Sequence, residues 1–139
     1  MQTFKIFSDG GARGNPGPAG IGVVIRDDGQ IHEISEYIGQ ATNNQAEYQA
    51  VIKALDWISG NIKETDFNIE FFLDSQLVVE QLNGRYKLKN EGLKPLFWQI
   101  RELIIKLGGR VSFNYIPREK NKEADKLVNL AIDRHLKGK

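Results

Sequence analysis

The sequence predicts an α/β fold with a mixed sheet, and three observations carry this prediction. Short segments with alternating apolar side chains, rich in Ile, Val and Phe, recur along the chain as strands do. Two of these segments flank an Asp-Gly turn, which is typical of an antiparallel hairpin. A helical segment separates this hairpin from a later strand. Such a crossover allows the first and fourth strands to run parallel.

Composition indicates an ordinary globular protein. Of 139 residues, 40% are hydrophobic and 27% are charged, which fits one domain over residues 1–139 with a sizeable core. The sequence has no cysteine, which excludes a disulfide framework and fits a reducing compartment. No apolar run approaches the roughly 20 residues that span a membrane, and Met1 leads into a strand without a signal peptide. We expect a cytoplasmic monomer without membrane contact.

The charges are distributed unevenly. Residues 1–83 hold 5 Lys/Arg and 12 Asp/Glu, a net charge of −7, whereas residues 84–139 hold 14 and 6, a net charge of +8. This asymmetry suggests an acidic centre that holds metal beside a basic surface for a polyanion. Alternatively, the two halves interleave in space and their fields cancel.

The first predicted strand, residues 3–8, leads to an acid. Phe4 and Ile6 share one face, and the other face runs through Phe7 to Asp9, so the strand delivers a carboxylate at its carboxyl end. Glycines and prolines follow and leave the backbone open to close approach. Asp9 is therefore a candidate site residue, unless it merely begins a long glycine hairpin. The stretch has neither a dinucleotide fingerprint nor a P-loop.

The next elements are a hairpin and a helix. Strands are predicted over residues 21–26 and 31–38, with a turn at residues 27–30, and the third strand alternates weakly, as an edge strand does. Helix-capping residues begin at Thr42, and the helix runs to about Ser59. Glu47 falls inside its apolar stripe, where burial without a partner is costly. The alternative is a solvated acid in the first turn.

A fourth strand over residues 67–73 ends at Asp74. In parallel sheets, ligands bind beyond the carboxyl ends of the strands, so Asp74 is a second candidate site residue. It could instead serve only as the N-cap of a short helix over residues 75–82.

The last third of the chain is predicted to contain a helix over residues 93–107, a strand over 111–116, a polar loop over 117–122 and a helix over 123–136. Asp125 lies beside the apolar stripe of the final helix, so it is either a site acid or a solvated first-turn acid. Trp98 lies off its helix stripe, and we favour a packing role for it over nucleic-acid stacking. The basic residues that could contact phosphates, or form a solvated surface, are Arg85, Lys87, Lys89, Lys94 and Arg101.

Four acids thus have a structural position: Asp9, Glu47, Asp74 and Asp125. Converging carboxylates repel each other and raise each other's pKa, so such a cluster makes sense if divalent cations hold it. Ligands that are all oxygen atoms favour hard ions such as Mg²⁺ or Mn²⁺. The residues alone therefore indicate an acidic, metal-assisted site on an α/β domain.

The acids lie in four segments of a recognisable order. These segments are Asp9-Gly10-Gly11 with Gly14-Asn15-Pro16-Gly17-Pro18, then Thr42-Asn43-Asn44-Gln45-Ala46-Glu47, then Asp74-Ser75-Gln76, and Asn121-Lys122-Glu123-Ala124-Asp125. Through them the chain resembles type 1 ribonuclease H across nearly its whole length. Each segment is a weak signal, but four in the right order, each with an acid, are highly specific. The resemblance implies a ribonuclease H-like fold, a five-stranded sheet of order 3-2-1-4-5 with helices on both faces.

The resemblance also implies an endonuclease that hydrolyses the RNA strand of RNA/DNA hybrids without sequence specificity. The four acids match the metal ligands of the family, and two Mg²⁺ or Mn²⁺ ions activate the attacking water and stabilise the leaving 3′ oxygen. Products would carry 5′-phosphate and 3′-hydroxyl ends. The positions that match substrate contacts are Gly10, Gly11, Asn15, Asn44 and Gln76, where amides and bare backbone can meet 2′-hydroxyls in the minor groove.

Two departures from the family pattern affect what we expect. The loop over residues 117–122 lacks the histidine that many members carry, and Arg118 or Glu119 could substitute for it. Residues 84–92 are too few for the basic protrusion of many members, so we expect weaker and more salt-sensitive binding. Two rival functions stay open: a non-catalytic nucleic-acid-binding module, and a related nuclease that also cleaves duplex RNA.

Overall fold

The computed structural model describes residues 2–63 and 66–138, and one sheet of five strands lies within them. Its strands are β1 (Gln2–Ala12), β2 (Gly17–Asp27), β3 (Gln30–Ala41), β4 (Phe67–Leu73) and β5 (Val111–Tyr115). The helices are α1 (Asn43–Asn61), α2 (Gln76–Leu82), α3 (Lys94–Lys106) and α4 (Lys122–Lys137), and a 3₁₀ turn (Arg118–Lys120) precedes α4. Among the described residues, no helix has both the length and the apolar surface that a membrane span requires.

The sheet has the predicted order, β3-β2-β1-β4-β5. β2 pairs antiparallel with β3, as the hairpin signal indicates, and it also pairs antiparallel with β1. β4 pairs parallel with β1 and with β5. Because α1 carries the chain from β3 back to β4, the central pair β1–β4 is parallel, and the mixed sheet is confirmed.

Helices cover both faces of the sheet. α1 packs against β1 and β2 with α3 beside it, whereas α4 crosses β1, β2 and β3. Gly10 faces the backbone of α1 at Ala46, and the adjacent Gly11 faces Val128 of α4. Successive residues in a strand point to opposite faces, so α1 and α4 lie on opposite sides of β1. The apolar residues predicted for β1, Phe4 and Ile6, are fully buried.

The three amino-terminal strands are longer than predicted. β1 continues three residues beyond Asp9, because its ladder with β2 runs on through Gly10, Gly11 and Ala12. The expectation that the strand ends at Asp9 was therefore wrong, and so was the alternative in which Asp9 begins the turn. Glycine has a low intrinsic preference for strands, but here paired backbone and close-packed helices override it.

The exposure of Trp98 contradicts the predicted packing role. Its side chain is 63% exposed and meets only the edge of the Phe97 ring among the aromatic contacts of the described residues. α3 buries Ile100 and Ile104 instead. Trp98 is two residues from Ile100, about 200° around the helix, so it points away from the core.

Two glycines allow the helices to come unusually close to the sheet. A Cβ atom at Gly10 would lie 2.2 Å from the carbonyl carbon of Ala46 in α1. On the other face, a Cβ atom at Gly22 would lie 2.1 Å from the carbonyl oxygen of Ala124 in α4. Gly22 pairs with Asp9 across β1 and β2, so both approaches occur next to the same acid.

We expect Gly22→Ala to lower the free energy of unfolding by about 1–3 kcal/mol, because the added methyl group must push α4 away from the sheet. Urea denaturation measures this change. Gly60→Ala is the matched control, since no atom lies within 4 Å of its Cβ position in α1. That variant should be stabilised by roughly 0.5–1 kcal/mol. Equal effects of the two substitutions would contradict the close-approach argument.

Candidate active site

Asp9 is the centre of the site and is nearly buried. It lies within β1 on the face covered by α4, and only 7% of the residue is exposed. The backbone N–H of Gly10 donates to its Oδ1 at 3.0 Å. The glycine at position 22 opposite Asp9 leaves no side chain beside the carboxylate. The strand therefore fixes the position of Asp9 through backbone pairing with β2, whereas the pairing with β4 ends two residues earlier, at Phe7.

Glu47 reaches Asp9 from α1. Thr42 caps this helix in a reciprocal capping box with Gln45, as the sequence predicts. Because α1 touches β1 at Gly10, the turn that carries Glu47 lies directly against the strand. Glu47 is only 6% exposed, and its Oε2 makes no hydrogen bond with a described residue. The solvated alternative for Glu47 was therefore wrong.

Asp74 follows the carboxyl end of β4, but it does not cap α2. Ser75 is the N-cap, and its hydroxyl accepts a hydrogen bond from the backbone N–H of Val78. The alternative in which Asp74 serves as the N-cap of α2 was wrong, because the helix begins one residue later than predicted. The Oδ2 atom of Asp74 instead accepts a hydrogen bond from Asn121 Nδ2 at 3.1 Å.

Three of the four predicted acids converge. Each of Asp9, Glu47 and Asp74 offers a carboxylate oxygen, and these atoms all lie within 4.8 Å of one another. Asp125 stands apart from that group. It lines the same cleft from the first turn of α4, but it is exposed to solvent.

Burial changes the protonation of the two inner acids. It raises the pKa of Asp9 from its ordinary 3.8 to about 7; a hydrogen bond with Glu47 opposes this shift, and the charges of Asp74 and Asp125 add to it. Burial also raises the pKa of Glu47 well above its ordinary value, with the charge of Asp9 as the next cause. Desolvation disfavours the ionised form of each carboxyl group, so both inner acids keep their protons to a higher pH than free carboxyl groups do.

These residues fit a divalent cation. The buried Oε2 of Glu47 lacks a hydrogen-bond partner among described residues, and a cation would satisfy it. The three converging ligands are all carboxylate oxygens, the donors that Mg²⁺ and Mn²⁺ prefer. A bound cation would also offset the burial and the mutual repulsion that raise both pKa values.

The acids lie in a cleft of about 420 Å³ that opens along the amino-terminal end of α1. Four of the other predicted site residues line it: Gly10, Gly11, Asn44 and Arg118. Three do not belong to its described lining: Asn15, Gln76 and Glu119. The Oδ1 of Asn15 accepts a hydrogen bond from the N–H of Asn43, so Asn15 braces the start of α1.

Sequence reasoning missed two asparagines beside the acids. Asn43 lines the cleft, and its Oδ1 accepts a hydrogen bond from the N–H of Ala12 in β1. Asn121 is 2% exposed and contacts Asp74. Both lie in segments that carry the family resemblance, but the sequence holds no signal for the burial of a polar loop residue.

Comparisons with known proteins agree with this geometry. Residues 7–131 match the family described as Reverse transcriptase-like. LC11-RNase H1, isolated from compost by a metagenomic approach, has a solved structure that is 50% identical, with a TM-score of 0.90 over 98% of this chain and 99% of its own. That protein has also been solved in complex with an RNA/DNA hybrid. RNase H1 of the archaeon Halobacterium salinarum is 40% identical, with a TM-score of 0.86 over 95% of this chain and 98% of its own.

The sheet order, the acid cluster and these matches define one class of protein. The chain belongs to the type 1 ribonuclease H family. A bifunctional protein of Mycobacterium tuberculosis is 41% identical over 92% of this chain, and the chain spans 35% of that protein's length.

The raised pKa of Asp9 predicts how the metal-free protein responds to pH. Between pH 3.8 and about 7 the folded state binds more protons at Asp9 than the unfolded chain does. The resulting stability is fully present below pH 3.8 and is lost as the pH rises through about 7. Relative to Asp9→Asn, the wild type in EDTA should lose on the order of 4 kcal/mol over this range. Urea denaturation at several pH values measures the difference, and parallel curves would contradict it.

Proposed function

We propose that this chain is an endonuclease that hydrolyses the RNA strand of RNA/DNA hybrids without sequence specificity. The observation that carries the proposal is the convergence of Asp9, Glu47 and Asp74 within 4.8 Å in an open cleft. The complex of LC11-RNase H1, which is 50% identical, with an RNA/DNA hybrid supports the choice of substrate. Products carry 5′-phosphate and 3′-hydroxyl ends.

Asp9, Glu47 and Asp74 would hold the metal, and Asp125 would join them from α4. Two Mg²⁺ or Mn²⁺ ions bound there would supply activation of water and neutralisation of charge at the leaving 3′ oxygen. Carboxylates bind a cation in their ionised form, so metal binding would release any proton that the inner pair holds. Asp125 lies on the solvent side of the cleft, where it can adjust its position as the substrate enters.

The surroundings of the acids bind the substrate. Asn44 and Gly11 line the cleft beside the acids, where an amide and bare backbone can contact the 2′-hydroxyls and base edges of the minor groove. Gly10 contributes mainly through its contact with α1, which places Glu47. Asn15 and Gln76 act at the border of the same surface.

Arg118 is the side chain from the loop before α4 that lines the cleft, and we assign it the role that a histidine has in many family members. An arginine pairs with phosphate through its charged guanidinium and is not suited to proton transfer, so Arg118 stabilises negative charge on the phosphate. Glu119 lies outside the described lining of the cleft and is the weaker assignment.

Three of the five basic residues that could contact the hybrid outside the cleft already have partners. Arg85 pairs with Glu80, Lys94 pairs with Glu91, and Arg101 donates to the backbone of Leu82. Lys87 and Lys89 are exposed in the short segment between α2 and α3. We therefore propose that binding of the hybrid is weak and sensitive to salt. We also propose that the enzyme is monomeric and cytoplasmic, with one domain over residues 1–139.

A cleavage assay tests the proposal directly. The substrates are end-labelled RNA/DNA hybrid, RNA duplex and DNA duplex, each with Mg²⁺, Mn²⁺ or EDTA. Cutting of only the RNA strand of the hybrid, and only with metal, is the expected result. Cutting of both RNA-containing duplexes would broaden the substrate, and binding without cutting would favour the non-catalytic module.

Asp9→Asn and Asp74→Asn should each lower kcat on the hybrid by about 10³-fold or more, because each removes a metal ligand worth several kcal/mol of transition-state stabilisation. Circular dichroism should show an intact fold in both variants. Asp56→Asn is the control, since it removes an exposed carboxylate on α1 away from the cleft. Wild-type turnover in either site variant would refute the assignment of the acids.

A further inference from the structure

Asn121 is a buried amide at the junction of three elements that carry acids. It lies between the 3₁₀ turn and α4, and only 2% of it is exposed. One hydrogen bond of its Nδ2 goes to the carbonyl oxygen of Ser8, at 3.0 Å, in β1. The other goes to Oδ2 of Asp74, at 3.1 Å, beyond the end of β4. Both protons of the amide are therefore used on elements of the acid cluster.

The backbone of Asn121 extends this link to the fourth acid. Its carbonyl oxygen accepts the N–H of Asp125 at 3.2 Å, the bond that starts the first turn of α4. Its own N–H donates to the carbonyl of Arg118 at 2.9 Å. One residue thus connects directly to Asp74, to the strand position before Asp9, and to Asp125.

The orientation of the amide follows from its partners. The Ser8 carbonyl and the Asp74 carboxylate are both acceptors, so the side chain must present its NH₂ group to them. Its Oδ1 makes no hydrogen bond with a described residue. A buried acceptor without a hydrogen bond costs free energy, so a contribution to stability alone does not explain this side chain. The two hydrogen bonds that its NH₂ group donates therefore favour a role in orienting the residues that accept them.

Asp74 needs such a restraint. The terminal torsion of an aspartate is broad, and Asp74 is only half-buried at the end of a strand, so packing alone does not fix its carboxylate plane. The bond from Asn121 holds Oδ2 and thereby limits rotation of the group. Oδ1 of Asp74 takes no part in this bond.

We propose that Asn121 is a positioning residue, which holds the Asp74 carboxylate in the orientation that binds metal and keeps the start of α4 in place beside it. This inference rests on the proposed metal-dependent nuclease function. Asn121 is too buried to touch a nucleic acid, so it acts through Asp74 and leaves substrate binding unchanged.

Asn121→Ala should weaken Mn²⁺ binding to the full chain without nucleic acid by about 10–100-fold, the usual cost of losing a partner that orients a ligand. Isothermal titration with Mn²⁺ alone measures this. On the hybrid, kcat should fall by a similar factor while KM stays the same.

Asn114→Ala is the matched control. The Nδ2 of Asn114 also donates to a strand carbonyl, that of Phe71, at 3.1 Å, but it contacts none of the acids. This variant should keep wild-type Mn²⁺ affinity and kcat. If folded Asn121→Ala matches Asn114→Ala in both quantities, Asn121 is only a structural residue. If the wild type neither binds Mn²⁺ nor cuts the hybrid, the proposed function is at fault instead.

A measurement on the wild type covers the case in which Asn121→Ala does not fold. The side-chain NH₂ resonances of Asn121 should shift as Mg²⁺ is added, with the same midpoint as the backbone resonance of Asp74. The NH₂ resonances of Asn114 should not move. Resonances of Asn121 that stay fixed while those of Asp74 shift would overturn the proposal.

Discussion

The site depends on the close approach of two helices to one point of the sheet, next to Asp9, from opposite faces. The missing Cβ atoms of Gly10 in β1 and Gly22 in β2 leave space for the backbones of α1 and α4. Because Gly10 follows Asp9 in sequence and Gly22 pairs with it, both helices contact the sheet beside the same carboxylate. α1 then brings Glu47 toward it from just beyond the first helical turn, and α4 brings Asp125 from its own first turn. β4 adds Asp74 from the neighbouring strand.

The same geometry makes the metal-free site unfavourable. Close packing removes water from Asp9 and Glu47, which raises their pKa values and leaves a buried oxygen without a hydrogen bond to a described residue. The apolar contacts between the sheet and α1 supply the compensating stability, with large side chains such as Phe4, Tyr48 and Phe71 fully buried. The fold thus holds a cluster of acids that would not assemble in water, and a divalent cation relieves the cost.

Periodicity and capping residues predicted most of the architecture, because they report which face of an element is apolar. They located all five strands and the crossover, and they placed Glu47 in an apolar helical stripe, although they left open whether it is buried or solvated. These local signals failed where contacts between distant elements determine the bounds of an element or the burial of a residue. The ladder between β1 and β2 extends into a glycine segment, and the N-cap of α2 is Ser75 rather than Asp74. The burial of Asn121 and the exposure of Trp98 likewise depend on neighbouring elements that no local pattern contains.

The loop before α4 shows how one short segment can serve the site without a histidine. Its inner residue, Asn121, is buried and joins Asp74, β1 and the first turn of α4 through hydrogen bonds. Its outer residue, Arg118, is exposed and lines the cleft. Precise placement of a ligand requires a buried residue with directed hydrogen bonds, whereas contact with a mobile phosphate requires an exposed charge. Because two different residues meet these two requirements, Arg118 can occupy the outer position in place of a histidine while Asn121 holds the acids in position.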